Sequence, residues 1–208
     1  MTISTEDQEL VEGFWREFVD GYMFSDLENC VRLAHANYLV ALGEMCYIDF
    51  FGKLMTGIER DSYSNFTTFV KEYLPTYATN PLDPKDIAFL GRLYGEFRSG
   101  LVHSYFPKNV DVVAVMKVLP NPPSIWQESG KWKIVVADFL DELKKASDAL
   151  RADLLAGKYL ENFKKVIAES PGMDKITEWS FGGGTAASTT VTTVSGSVVF
   201  PPSGPTKE

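Results

Sequence analysis

Two cysteines and two histidines among 208 residues leave little of the material from which small proteins build metal sites and disulfide frameworks. Cys30 and Cys46 lie in apolar helical stretches. They read as buried thiols of a reducing compartment rather than a bridge. His35 and His103, with those cysteines, make no zinc-ligand spacing, so no metal and no cofactor is expected. Basic residues are also scarce, 20 Lys and Arg against 28 Asp and Glu, for a net charge of −8. A general cationic coat for DNA or a polybasic membrane anchor needs the opposite balance. Long hydrophobic runs are missing too. The most apolar stretch, Tyr38 to Met55, is interrupted by Glu44, Asp49 and Lys53, which argues against a membrane span. The first residues, Met1 to Glu9, are polar and acidic with no basic-then-apolar order. No signal peptide is expected, and the location is read as cytoplasmic. There is no Walker loop and no Gly-x-Ser-x-Gly elbow, and Gly182-Gly183-Gly184 does not stand between a strand and a helix.

What the chain does have is a globular balance, 45% hydrophobic and 23% charged, over a length that supports one main core. Leu10, Val11, Phe14, Trp15, Phe18 and Val19 recur at helical spacing, predicting a helix from about Ser4 to about Gly21. Ser25-Asp26-Leu27-Glu28 has a capping-box pattern, and an apolar face follows it, predicting one long helix from Ser25 to about Met55. A shorter helix is expected over Ser64 to Leu74. A fourth, opened by Asp83-Pro84, is expected to run to about His103. Valine-rich Val110 to Val118, and two segments flanking Glu128-Ser129-Gly130, predict a small antiparallel sheet of two or three strands within about 110–136. Asp138 then caps a helix, and a last short helix spans about Tyr159 to Glu169. From Ser180 the chain is a Gly/Ser/Thr-rich, low-complexity tail. The expected fold is mainly α: a helical bundle over 1–179 with a small β appendage, followed by the 180–208 tail.

Arg98-Ser99-Gly100-Leu101-Val102-His103, at the end of the fourth helix, places an arginine and a histidine with four residues between them. This resembles the Arg-x4-6-His signature of the HEPN superfamily, all-α domains of which many are metal-independent ribonucleases of toxin–antitoxin and defence systems. The resemblance covers roughly residues 5 to 105. It implies Arg98 and His103 as catalytic residues, RNA as substrate, a protein antitoxin as partner, and a homodimer that pairs two motifs. Active members usually have asparagine or aspartate after the arginine; here it is Ser99.

The implied chemistry is attack of an RNA 2′-hydroxyl on the adjacent phosphate. Histidine near neutral pH takes or gives the proton, and the guanidinium fork stabilises the phosphoryl oxygens. One histidine per chain fills one of two proton-transfer roles, so a symmetric dimer would supply the second. A regular helix turns about 100° per residue, which sets Arg98 and His103 about 140° apart. They converge only if the helix relaxes near Gly100 or if a second subunit contributes. Glu96 has two readings: it supports the His103 ring, or it pairs with Arg92 one turn earlier. Both motif positions lie off or beside the apolar stripe, so alanine is expected to be tolerated at each. Lys108, Lys117, Lys131 and Lys133 could form a local basic patch. Tyr105, Trp126 and Trp132 could stack bases, although tryptophans of a hairpin more often pack inward. The alternative function is a non-catalytic helical dimerisation or interaction module that binds nucleotide or protein.

Overall fold

The computed structural model describes residues 3–34, 36–104, 110–113 and 123–170. The expectations placed on His35, Tyr105, Lys108, Lys117, residues 114–118 and the 180–208 tail lie outside the described residues. The fold is mainly α, with a small sheet inserted before the last two helices.

Helix α1 (Thr5–Phe14) starts where the sequence places it, the Ser4 hydroxyl accepting from the Asp7 N–H at 3.0 Å. It does not end near Gly21. The chain stays helical through a wide π segment (Trp15–Phe24), α2 (Ser25–Asn29) and a second π segment (Cys30–Ala34). Ser25 therefore caps nothing. A capping box requires a non-helical residue at the cap, whereas Phe24 and Ser25 both keep helical dihedrals. Packing explains this, because Phe24 is buried with its ring 6.3 Å from that of Phe51.

The single helix expected over Ser25 to Met55 is also broken. Ala36 leaves helical geometry (φ −87°, ψ 60°), its N–H reaches back to the Cys30 carbonyl at 3.2 Å, and α3 (Asn37–Thr56) begins anew. Among the described residues none between Leu27 and Val40 is fully buried, and only Cys30, Val31 and Tyr38 pack partly against the core, so little packing enforces helix there. The α3 helix ends at Gly57, whose positive φ of 66° suits glycine and whose N–H closes on the Lys53 carbonyl at 2.9 Å. Asp61 caps α4 (Ser62–Tyr73) through the Ser64 N–H at 2.9 Å.

A 3₁₀ turn (Pro75–Tyr77) follows. The fourth helix then begins later than Asp83-Pro84 suggests, at Phe89. Asp83 instead makes a turn, its side chain accepting from the Lys85 N–H at 3.2 Å and its carbonyl from the Asp86 N–H at 2.9 Å. Asp86 is held against Arg92, which also donates to Gln127 Oε1 at 2.9 Å. The helix runs as α5 (Phe89–Arg92), a π segment (Leu93–Arg98) and α6 (Ser99–Ser104).

Strands β1 (Val110–Val113), β2 (Ile125–Glu128) and β3 (Lys131–Val135) form one sheet in the order β1-β3-β2. The β2–β3 hairpin is antiparallel, turned by Ser129 and Gly130, both at positive φ. The third strand departs from the expectation: β1 pairs parallel to β3, with Val110 opposite Trp132. The tight turn commits one edge of β3 to β2. The connection between 113 and 125 lets β1 take the other edge in the same direction as β3. Helix α7 (Val136–Leu155) starts directly after β3 with no side-chain cap. Asp138 sits in its first turn, where the helix dipole favours an acid. Helix α8 (Leu160–Glu169) closes the described chain.

The core is one continuous cluster. Phe14, Trp15, Phe51, Phe69 and Phe163 fill the bundle, and Ile125, Trp132 and Ile134 of the hairpin belong to the same cluster. Trp126 and Trp132 are both buried, as hairpin tryptophans usually are. Backbones approach closely where Gly52 of α3 lies directly against the Asn65 carbonyl of α4. Asn65 is itself fixed, donating to the Ile58 carbonyl at 2.9 Å and accepting from the Thr56 hydroxyl at 2.5 Å.

Candidate functional site

The π segment ends at Arg98, and Ser99–Ser104 is regular α-helix. The helix thus does not relax at Gly100, and the two motif residues keep different faces. Arg98 turns inward. Its Nη2 donates to Asp49 Oδ2 of α3 at 2.5 Å, and both side chains are only 15% exposed. The guanidinium carbon lies 5.3 Å from the centre of the Tyr94 ring, a cation–π geometry. Tyr94 is in turn packed edge-on by Tyr63 and Phe66, with ring centres at 5.2 and 5.4 Å. The Ser62 hydroxyl donates to the same Asp49 oxygen, and Arg98 Nε is buried without a partner.

His103 is exposed, five residues further along. Among the described residues no hydrogen bond or ion pair joins it to Arg98. Ser99 is partly buried between them. Glu96 meets neither of its two readings: its Oε2 accepts from Trp132 Nε1 at 3.1 Å, tying the helix to β3. The partner of Arg92 is Asp86 rather than Glu96.

Trp132 is fully buried, its ring 5.1 Å from Phe89 and 5.8 Å from Phe97, so its indole N–H needs the Glu96 carboxylate. Trp132→Phe is expected to cost about 1–2 kcal/mol from the lost hydrogen bond and the vacated ring volume. A urea denaturation curve measures this.

Chemically, Arg98 is an occupied cation. A phosphoryl group would have to displace Asp49 to reach it. Cys46 lies beside the pair, and its surroundings disfavour the thiolate. Burial pushes its thiol above the ordinary value, with the Arg98 charge pulling the other way. Cys30 and Cys46 are both free thiols. Among the described residues no group of three or more His, Cys, Asp or Glu side chains is placed to hold a metal ion. No helix of the described residues is long and apolar enough to cross a membrane.

A second polar cluster, which sequence reasoning missed, joins α7 to the hairpin. Glu142 accepts from the Tyr77 hydroxyl at 2.6 Å on one oxygen and from the Ser124 hydroxyl at 2.7 Å on the other. The Ser124 N–H donates to the Tyr77 oxygen at 3.2 Å. Burial and the carboxylate push the Tyr77 hydroxyl far above its ordinary pKa, so it stays a donor. The sequence signal for these contacts is slight, because they join residues 65, 47 and 18 positions apart. Two surface clefts of about 390 and 300 Å³ flank α7, one lined by Glu28, Arg32 and Asp141, the other by Tyr77, Glu142 and Lys145. Neither is lined by Arg98 or His103. No protein-family model, no curated protein and no solved structure matches the chain.

Proposed function

We propose that this chain is a non-catalytic helical interaction module, paired with a second copy of itself or with another protein, in which the Arg98–His103 motif serves the fold and not a reaction. The observation that carries the reading is the orientation of Arg98. A ribonuclease needs the guanidinium fork open to the phosphate. Here the fork is engaged by Asp49 and covered by Tyr94, while His103 stands on the opposite side of a regular turn. The acidic balance of the chain points the same way, since an RNA-binding surface works against a net charge of −8. The exposed end of α6 carries Val102 beside His103, an apolar and a polar group available to a partner.

The test measures cleavage of an unstructured RNA, with and without chelator, and oligomeric state by sedimentation, for the wild type and for His103→Ala. The expected result is no cleavage, a concentration-dependent self-association or a captured protein partner, and a His103→Ala variant within about 0.5 kcal/mol of wild-type stability. Chelator-resistant cleavage by the wild type that falls by about 10²-fold in a fully folded His103→Ala variant would replace this reading with the HEPN-like ribonuclease, its site composed from two subunits.

A further inference from the structure

Glu44 lies in the middle of α3 with no solvent exposure, and neither of its carboxylate oxygens has a hydrogen-bond partner. Its position is part of the core stripe. Ala41, Glu44, Ile48, Phe51 and Met55 follow one another at three- and four-residue steps, and all are buried. A buried carboxylate with no partner is tolerable only in its neutral form. Glu142 of α7 is the charged group whose field reaches it. Several charged groups on the surrounding elements are paired with one another: Glu12 with Arg151, Glu28 with Lys144, Glu72 with Lys158, Asp49 with Arg98, Lys133 with Glu128, and Lys164 with Asp7. Glu142, in contrast to Glu44, has both oxygens occupied, by Tyr77 and Ser124. One carboxyl is thus bonded at both oxygens, and the other has no donor to hold a charge.

We propose that Glu44 and Glu142 form a proton-gated latch between α3 and α7, closed while Glu44 holds a proton and loosened when that proton is lost to solvent. A negative charge on Glu44 would then lie within the field of Glu142. The strain falls on the contacts Glu142 makes, which hold the 3₁₀ turn at Tyr77 and Ser124, the residue before β2. Burial, and secondarily the Glu142 charge, raise the Glu44 pKa well above the ordinary carboxylate value of 4.5. A carboxyl whose pKa is raised by folding contributes stability that is complete below its unfolded pKa. That contribution is gone once pH has risen through the folded pKa. The sensitive range therefore lies on the alkaline side of the ordinary carboxylate value.

The experiment follows urea denaturation of the full chain from about pH 5 to about pH 9 for the wild type, Glu44→Gln and Glu44→Met, with amide exchange at Ser124 and along 136–143 in parallel. Relative to either variant, the wild-type folding equilibrium constant is expected to fall by about tenfold per pH unit until Glu44 is ionised. The wild type alone should show exchange in those segments accelerating beyond the intrinsic rate. Infrared absorption supplies a reading independent of how the variants fold: the wild type at neutral pH should retain a protonated-carboxyl stretch. Parallel stability profiles, or no protonated carboxyl in the neutral wild type, would overturn the latch.

Discussion

Alanine at Gly52 is expected to destabilise the protein by about 3 kcal/mol or more, a fall in Tm of roughly 6–12 °C for a chain of this size. A Cβ on Gly52 would overlap the Asn65 carbonyl, and even the Asn65 Cα lies 2.9 Å from where that carbon would stand. The clash is with backbone, so no rotamer change relieves it. Asn65 cannot easily retreat, because its side chain is bonded to both the Ile58 carbonyl and the Thr56 hydroxyl at the α3–α4 turn. Helix propensity alone gives the opposite sign, since alanine is favoured over glycine by about 1 kcal/mol inside a helix. Gly95→Ala supplies that control. A Cβ there meets nothing within 4 Å, and the substitution is expected to raise stability by about 0.5–1 kcal/mol. Thermal melts of the two variants side by side decide the matter. Equal shifts of one sign would show that the α3–α4 approach is looser than described.

The helical periodicity was enough to identify the bundle, because it depends on local spacing of apolar residues, and that spacing is what the core uses. The boundaries were less legible where tertiary packing overrides a local signal. Ser25 carries a good capping pattern, but the buried Phe24 keeps the chain helical through it. Asp83-Pro84 is a good helix start, yet Asp86 is bound by Arg92, and the helix waits until Phe89. The β1 direction was beyond reach, because strand content does not encode the sense of pairing. In the candidate site, Arg98 and His103 stood out by type and spacing, but what each touches depends on α3. Glu44 and Asp49 read along the chain as interruptions of an apolar run. In the fold both are drawn inside, one with no partner and one holding Arg98. The core stripe through Ala41, Ile48 and Phe51 already carries Glu44 inward. Asp49 gives no such sign, since its burial is set by a partner 49 residues away.

Arg98→Met and Asp49→Leu are each expected to cost about 2–3 kcal/mol, and the double substitution less than their sum. Removing one member of a buried ion pair leaves the other desolvated and uncompensated, at about 3–5 kcal/mol when burial is complete. The 15% exposure of both side chains lets water return some of that. Asp49 without Arg98 would keep only the Ser62 hydroxyl. Arg98 without Asp49 would keep the Tyr94 ring, with its Nε still unpaired. Replacing both by apolar residues of similar volume removes the stranded charge in either case, so a double-mutant cycle should give a coupling of about 1–3 kcal/mol. Arg98→Lys belongs in the same series. It keeps the charge but loses the planar fork that bonds Asp49 while lying over Tyr94, so an intermediate loss is expected. This reverses the tolerance that the helical stripe alone predicts for position 98, and it separates the two functional readings. If Arg98 serves the fold, stability falls with its removal and recovers in the double variant. If it serves a reaction, Arg98→Met melts within about 1 kcal/mol of the wild type, the two substitutions are additive, and the loss is seen in RNA cleavage instead.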